Sequence, residues 1–309
     1  QPFLYTYNRH NEFNLNLGLV KANYSSENIR ANLALMAGTY AQDNLSAEQD
    51  ALKLINEANI GFKISKTKNI WIDAGIMPSH IGWESAIGKD NLTLTRSLAA
   101  ENSPYFETGA KISYTSDNGK LFLSGLVLNG WQRIARVEGN QTLAFGHQLA
   151  YRFSDNFSLN SSSYMGNDQP AEDKKMRYFH DLYTQFNLGE KWSGIAGFDI
   201  GAQQSAKGSE QYHVWYTPNL LLRYAITDRT KIAGRAEYFN DEKGVVIGTN
   251  TPNGFRTFGY SLNVDHEIHK NLLLRTEARG FSSKDAIFMK DNMAKSDNFF
   301  ITTSLSAWF

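Results

Sequence analysis

Residues 258–281 read FGYSLNVDHEIHKNLLLRTEARGF. Phe258, Tyr260, Leu262 and Val264 alternate with Gly259, Ser261, Asn263 and Asp265. Beyond His269-Lys270-Asn271 the pattern resumes at Leu272, Leu274, Thr276 and Ala278. A period of two marks a strand with two unlike faces, and the polar break between the runs marks a tight turn. The stretch therefore reads as a hairpin. Its apolar parity is free of charge, while its other parity carries Arg275, Glu277 and Arg279.

The same unit recurs along the chain. Tight turns are expected at Ser25-Ser26-Glu27-Asn28, Asp117-Asn118-Gly119, Ser154-Asp155-Asn156, Gly189-Glu190-Lys191 and Thr227-Asp228-Arg229. Longer connections separate the hairpins. The first strand is expected from Phe13, and Ala47 to Leu54 is expected to form a short helix. Strands of about 10 residues, at about 3.3 Å per residue and a tilt near 40°, span about 25 Å, the height of an outer-membrane apolar band. Aromatics gather at strand ends, with Phe153, Phe157, Phe186, Trp192 and Tyr224 near turns and Tyr40, Tyr105, Trp131, Tyr178 and Tyr238 toward loops. Such girdles mark the two membrane interfaces.

The composition narrows the classes. Thirty-one basic residues balance 31 acidic ones, which argues against a nucleic-acid partner. Absence of cysteine removes disulfides and thiolate-held metal. No apolar run is long enough for a membrane helix, a test blind to barrels whose strands are only half apolar. A soluble eight-stranded barrel would also alternate. About 15 strands are too many for an apolar interior, whereas 16 enclose an aqueous channel. No repeat of 40–50 residues supports a propeller, and alternating short and long connections do not suit a Greek-key sandwich. The expected fold is all-β: a transmembrane antiparallel up-and-down β-barrel over residues 1–309, with short periplasmic turns and long extracellular loops. Because such barrels have an even number of strands, 16 are expected, the first upstream of Gln1. No signal peptide is visible, so the chain reads as mature or trimmed.

Asn298 to Phe309, NFFITTSLSAWF, ends on an aromatic residue after strict alternation, and resembles the terminal strand that outer-membrane assembly reads. The segments YNRHNEFNLNLGLVKANY (from Tyr7), ANLALMAGTYA (from Ala31), IWIDAGIMPSHIGWESAIGKDNLTLTRSLAAENSPYFETGAKISY (from Ile70) and LSGLVLNGWQRI (from Leu123) resemble the OmpL-like β-barrel porin family common in Bacteroidota. The resemblance is dense over the first half and architectural over the second. It implies an outer-membrane channel of a Gram-negative bacterium, with a strand upstream of the NRHNE stretch, and carries over no catalytic residues.

Residues 78–104 break the alternation. Ile81, Trp83, Ile87, Leu92, Leu94 and Leu98 call for burial, so disorder is not expected. A loop that long in an ordered protein is usually functional. It is expected to fold into the lumen as a constriction, with Glu84, Lys89, Asp90, Arg96 and Glu101 facing water. Lys111, Arg223, Arg235, Glu237, Arg275, Glu277 and Arg279 are expected on the lumen wall. Acids on the loop opposite these arginines would set a transverse field and select solutes by charge.

Enzyme chemistry lacks support in the residues. No G-x-S-x-G occurs, and His180 and Asp181 are strand neighbours that point to opposite faces. His266 and His269 at a turn are a weak metal signal, and no phosphate or dinucleotide loop appears. No cofactor or metal is expected. The expected function is passive diffusion of small hydrophilic solutes or ions. The alternative is a loop-occluded barrel that docks another outer-membrane protein. Partners are outer-membrane lipid and lipopolysaccharide, the solutes, and a homo-oligomer or second outer-membrane protein.

Overall fold

The computed structural model describes residues 3–309. Fifteen strands form one antiparallel sheet in which each pairs with its neighbour in sequence. They are β1 (Gly18–Ser25), β2 (Ile29–Ala37), β3 (Ile55–Lys63), β4 (Asn69–Pro78), β5 (Phe106–Thr115), β6 (Leu121–Leu128), β7 (Ala144–Ser154), β8 (Phe157–Gly166), β9 (Arg177–Leu188), β10 (Trp192–Gln204), β11 (Tyr212–Ala225), β12 (Thr230–Asp241), β13 (Phe255–His269), β14 (Leu272–Ser283) and β17 (Asp297–Ala307). The connection before β17 holds a small hairpin of β15 (Phe288–Lys290) and β16 (Met293–Lys295). Two short helices, α1 (Thr39–Asn44) and α2 (Leu98–Glu101), lie in connections.

The hairpin of β13 and β14 shows why the sheet curls as it does. Phe258, Tyr260, Leu262 and Val264 are exposed, whereas Thr257, Ser261, Asn263 and Asp265 are buried. On β14, Arg275, Glu277 and Arg279 are fully buried. Apolar outside and polar inside inverts the pattern of a soluble protein, and only a sheet whose outer face meets lipid satisfies it. Exposed Leu33, Ile60, Leu182, Leu220 and Ile301 continue the outer band on other strands.

Connections alternate in length. Short turns cover residues 26–28, 64–68, 116–120, 155–156, 189–191, 226–229 and 270–271; long ones cover 38–54, 79–105, 129–143, 167–176, 205–211, 242–254 and 284–296. Two apolar clusters lie among the loops and the upper inner wall. One joins Leu98, Leu128, Tyr164, Trp215, Phe239 and Phe281. The other joins Met36, Tyr40, Leu45, Ile76, Phe106 and Ile134.

Two expectations about elements are corrected. β1 begins at Gly18 rather than Phe13: the carbonyls of Leu15 and Asn16 accept the N–H groups of Thr39 and Tyr40 at the start of α1 instead of ladder bonds. The helix expected at 47–54 lies earlier, at Thr39–Asn44, with only a 3₁₀ turn at Leu52–Leu54.

Candidate functional site

Residues 79–105 leave the sheet at Pro78 and rejoin it at Phe106, and these two residues face each other across the β4–β5 ladder. Between them the chain descends inside the sheet to the turn end and climbs back. Such a path strips backbone N–H and C=O groups of water, and each needs a partner. The inward side chains of the strands supply them.

The descent is anchored first at His80. Its Nδ1 lies 2.6 Å from Glu107 Oε1 on β5, and its Nε2 lies 2.8 Å from the Ser163 carbonyl on β8. Both partners are acceptors, an arrangement that favours the imidazolium, with both ring nitrogens donating. Burial alone drives its pKa down, but Glu107 and the Ser163 carbonyl outweigh burial and hold it above the ordinary value. Ser162 Oγ donates to the His80 carbonyl at 2.8 Å, and Gly82 N–H reaches Asp181 Oδ2 on β9 at 3.3 Å. Trp83 stands edge-on to Tyr183, with centroids 5.7 Å apart, and covers Gly197 on β10.

The lowest point is residues 88–92. Lys89 Nζ lies 5.2 Å from the ring of Trp308, just past the end of β17. Leu92 lines a recess with Ser154, Asn156 and Asn187, at the turns. Arg223 donates to the Asn91 carbonyl at 2.7 Å. Arg275, held by Asp265 at 2.7 and 3.0 Å, donates to the carbonyls of Gly88 and Asn91.

The ascent runs along β12–β14 in register with them. Asn263 Oδ1 accepts from Leu94 N–H at 3.1 Å, and Glu277 Oε2 accepts from Thr95 N–H and Oγ1 at 2.6 and 2.8 Å. Arg279 donates to Thr95 Oγ1 and the Arg96 carbonyl at 2.9 and 2.8 Å, and Glu237 accepts from Leu98 N–H at 2.6 Å. Arg235 donates to the Thr95 carbonyl at 2.8 Å. Three ion pairs join these groups, Arg235–Glu277 at 2.7 Å, Arg279–Glu237 at 2.5 Å and Arg235–Glu237 at 3.5 Å, and all four side chains are fully buried.

At the top, α2 starts on Ser97, whose Oγ accepts from Ala100 N–H at 3.2 Å and itself donates to Glu84. Burial raises the Glu84 carboxyl above its ordinary value, against the pull of Arg235. Arg96 lies between the rings of Tyr105 (3.4 Å) and Tyr40 (5.1 Å), with Nε 3.1 Å from Glu101 and an Nη2 bond to Asn44 at 2.9 Å. Glu101 also accepts from Tyr5 N–H at 2.6 Å and from the Thr6 hydroxyl.

The expectation for the loop charges is corrected in part. Arg96 and Glu101 are buried, and Glu84 faces Ser97; these three do not face water but close the loop upon itself and on its neighbours. Lys89 and exposed Asp90 pair with each other at 2.6 Å. On the wall, Arg235, Glu237, Arg275, Glu277 and Arg279 converge on the loop backbone; Arg235 and Arg279 pair with Glu277 and Glu237, and Arg275 with Asp265. Lys111 lies apart on β5, opposite Asp73, whose carboxylate is taken by Arg30. Sequence reasoning missed His80, Asn263, the Trp83–Gly197 contact and the bond from Gly82 to Asp181. Glu107 on the inward parity of β5 was a signal for a partner at the loop's start; nothing in the sequence pointed to Gly197.

Two predictions arise here. A Cβ at Gly197 would lie 2.4 Å from the Trp83 ring. Gly197→Leu is expected to expel Trp83, loosen the descent and raise single-channel conductance, while Gly248→Leu, in a connection with open space around it, leaves it unchanged. The second concerns pH. A raised His80 pKa means that its contribution to stability is complete below the ordinary value of 6.5 and is lost as pH rises through the folded value. Heat stability in detergent is expected to fall as pH rises above 6.5 by a component that His80→Gln abolishes; an unchanged profile in the variant would contradict this.

A single up-and-down sheet with lipid-compatible residues outside, hydrogen-bonding residues inside, tight turns at one end and long loops at the other is a transmembrane β-barrel of the outer-membrane type. The turns are periplasmic and the long loops extracellular. Residues 1–309 match the family described as "Putative beta-barrel porin-2, OmpL-like", and the protein belongs to that family. No curated protein matches the chain. Similar solved structures include an anion-selective porin from Comamonas acidovorans (9% identity, 95% of this chain and 89% of that one, TM-score 0.64). OmpT of Vibrio cholerae in a trimer form matches at 10% identity, 94% and 91% coverage and TM-score 0.63. The outer-membrane channel DcaP of Acinetobacter baumannii matches at 12% identity, 95% and 85% coverage and TM-score 0.58. At these identities the likeness is one of fold.

Proposed function

We propose that this outer-membrane barrel is a passive channel for small hydrophilic solutes or ions, narrowed by residues 79–105. One observation carries the reading: the loop is bonded to inward residues of β5, β8 and β9 on its descent and of β11–β14 on its ascent. A segment so held takes up cross-section over the depth of the barrel and leaves solutes the remainder. Pore diameter and the groups along it then set selectivity. Paired, buried wall arginines exert little long-range field, so size is expected to dominate over charge. Lys111 and the Arg30–Asp73 and Lys21–Glu57 pairs lie on β1–β5, the part of the wall away from the ascent.

A second reading has its own support. Thr93, Leu94, Thr95, Ser97 and Leu98 are completely buried, as expected of a plug, and a plugged barrel would serve as a docking subunit for another outer-membrane protein. Liposome swelling with sugars of graded size separates the two. A channel gives swelling rates that fall with sugar size; no swelling with any sugar, together with co-purification of a partner, favours docking.

A further inference from the structure

Above the loop, an open recess of about 290 Å³ lies between the extracellular connections 38–54, 79–105, 129–143 and 242–254. It is lined in part by Tyr5, Trp131, Val245 and Val246, and by both acidic and basic residues. The acids are already engaged. Asp43 accepts from Asn8 at 2.8 Å and pairs with Arg9, Glu48 accepts the N–H groups of Ile134 and Ala135 at 2.8 and 3.1 Å, and Glu101 is held by Tyr5, Thr6 and Arg96. Arg177 is engaged too: it donates to Gln203 at 2.7 and 2.9 Å, lies 3.6 Å from Asp168 and stacks 5.1 Å from the Trp131 ring.

Arg133 is the exception. Among the described residues its guanidinium has no hydrogen bond and no ion pair, although it lines the recess. The backbone that carries it is fixed on both sides. Gln132 holds a φ of +53°, a left-handed conformation that is strained for a non-glycine residue. Its side chain is clamped, Oε1 accepting from Tyr105 N–H at 2.9 Å and Nε2 donating to the Asn44 carbonyl at 3.2 Å. On the other side, Glu48 fixes Ile134 and Ala135. Strain held in place by neighbours beside an unpartnered cation is the arrangement of a prepared binding group.

We propose that this recess binds a small organic anion, a carboxylate with a flat or apolar body. Arg133 takes the carboxylate through its paired N–H groups, and Trp131, Tyr5 and the two valines cover the body. The acids of the recess are each already bonded to other donors, and none of them pairs with Arg133 among the described residues. The site lies outside the lumen, so binding is independent of whether the barrel conducts.

The test is calorimetric titration of the full chain in detergent with benzoate and with its neutral isostere benzamide. Benzoate is expected to bind saturably and benzamide about tenfold more weakly, the equivalent of one charge-assisted contact. Arg133→Ala is expected to weaken benzoate by about the same factor, and Arg133→Lys by less, since lysine keeps the charge without the fork. Both variants should retain the strand circular dichroism and the heat-modifiable gel band of the parent. No benzoate binding, equal binding of benzamide, or full binding by a folded Arg133→Ala would overturn the proposal.

Discussion

Arg235→Ala is expected to cost the protein about 3–5 kcal/mol, the penalty for removing one partner of a buried ion pair. The reason is what remains. Glu277 loses its 2.7 Å partner, Glu237 loses a second cation at 3.5 Å, and the Thr95 carbonyl loses its donor at 2.8 Å. None of these groups has water to turn to while the loop stays seated. The fifteen strands keep their backbone ladder, so the loss should fall on the loop first. Two readouts follow. The temperature at which the folded band disappears on gels should drop, and single-channel records should show larger and noisier openings. Arg235→Met combined with Glu277→Met should be milder than Arg235→Ala alone, because it removes the pair and leaves no orphan charge on that diagonal. A single variant as stable and as quiet as the parent would mean that the quartet does not seat the loop.

The barrel was legible because its signal is local. Parity alone declares the face of the residues of β13 and β14: Phe258, Tyr260, Leu262 and Val264 lie outward and Arg275, Glu277 and Arg279 inward, as their alternation requires. Turn chemistry such as Asp117-Asn118-Gly119 fixed the hairpins in the same way. At Leu15 and Asn16 the alternation continues, yet the backbone carbonyls there accept from the start of α1, a choice that periodicity does not encode. The site was legible only by type. Parity says that Arg235, Glu277 and Arg279 point inward but not what they touch, and the answer comes from residues far away in sequence. Thr95 meets Glu277 only because the sheet curls and the loop climbs back beside β14. Expecting those charges to face water overlooked the backbone of the loop itself. A long segment inside a barrel brings a run of unsatisfied N–H and C=O groups, and nearby arginines and glutamates satisfy them before any solute does. His80 and Gly197 stayed hidden for the same reason, since their roles exist only across the lumen.

The largest functional effect is expected from removing the loop. With residues 85–100 replaced by a short glycine–serine link, Pro78 and Phe106 can still pair across the ladder, so the β4–β5 hairpin is not strained. The ladder of Arg235, Glu237, Arg275, Glu277 and Arg279 would then meet water instead of peptide groups. Charges buried as pairs become hydrated, which barrels with polar linings tolerate. Two changes should appear together: a wider passage, and a selectivity newly sensitive to salt because the wall charges are exposed to the permeating ions. Trp83 and His80 remain on the stub, so the change reports the low and rising parts of the loop.

Single-channel conductance of this deletion variant beside the parent, in the same planar bilayers and at low and high salt, is the decisive measurement. A loop that fills the barrel predicts a severalfold rise in conductance, with ion selectivity that shifts and depends on salt. Unchanged conductance and unchanged selectivity in a folded variant would contradict it.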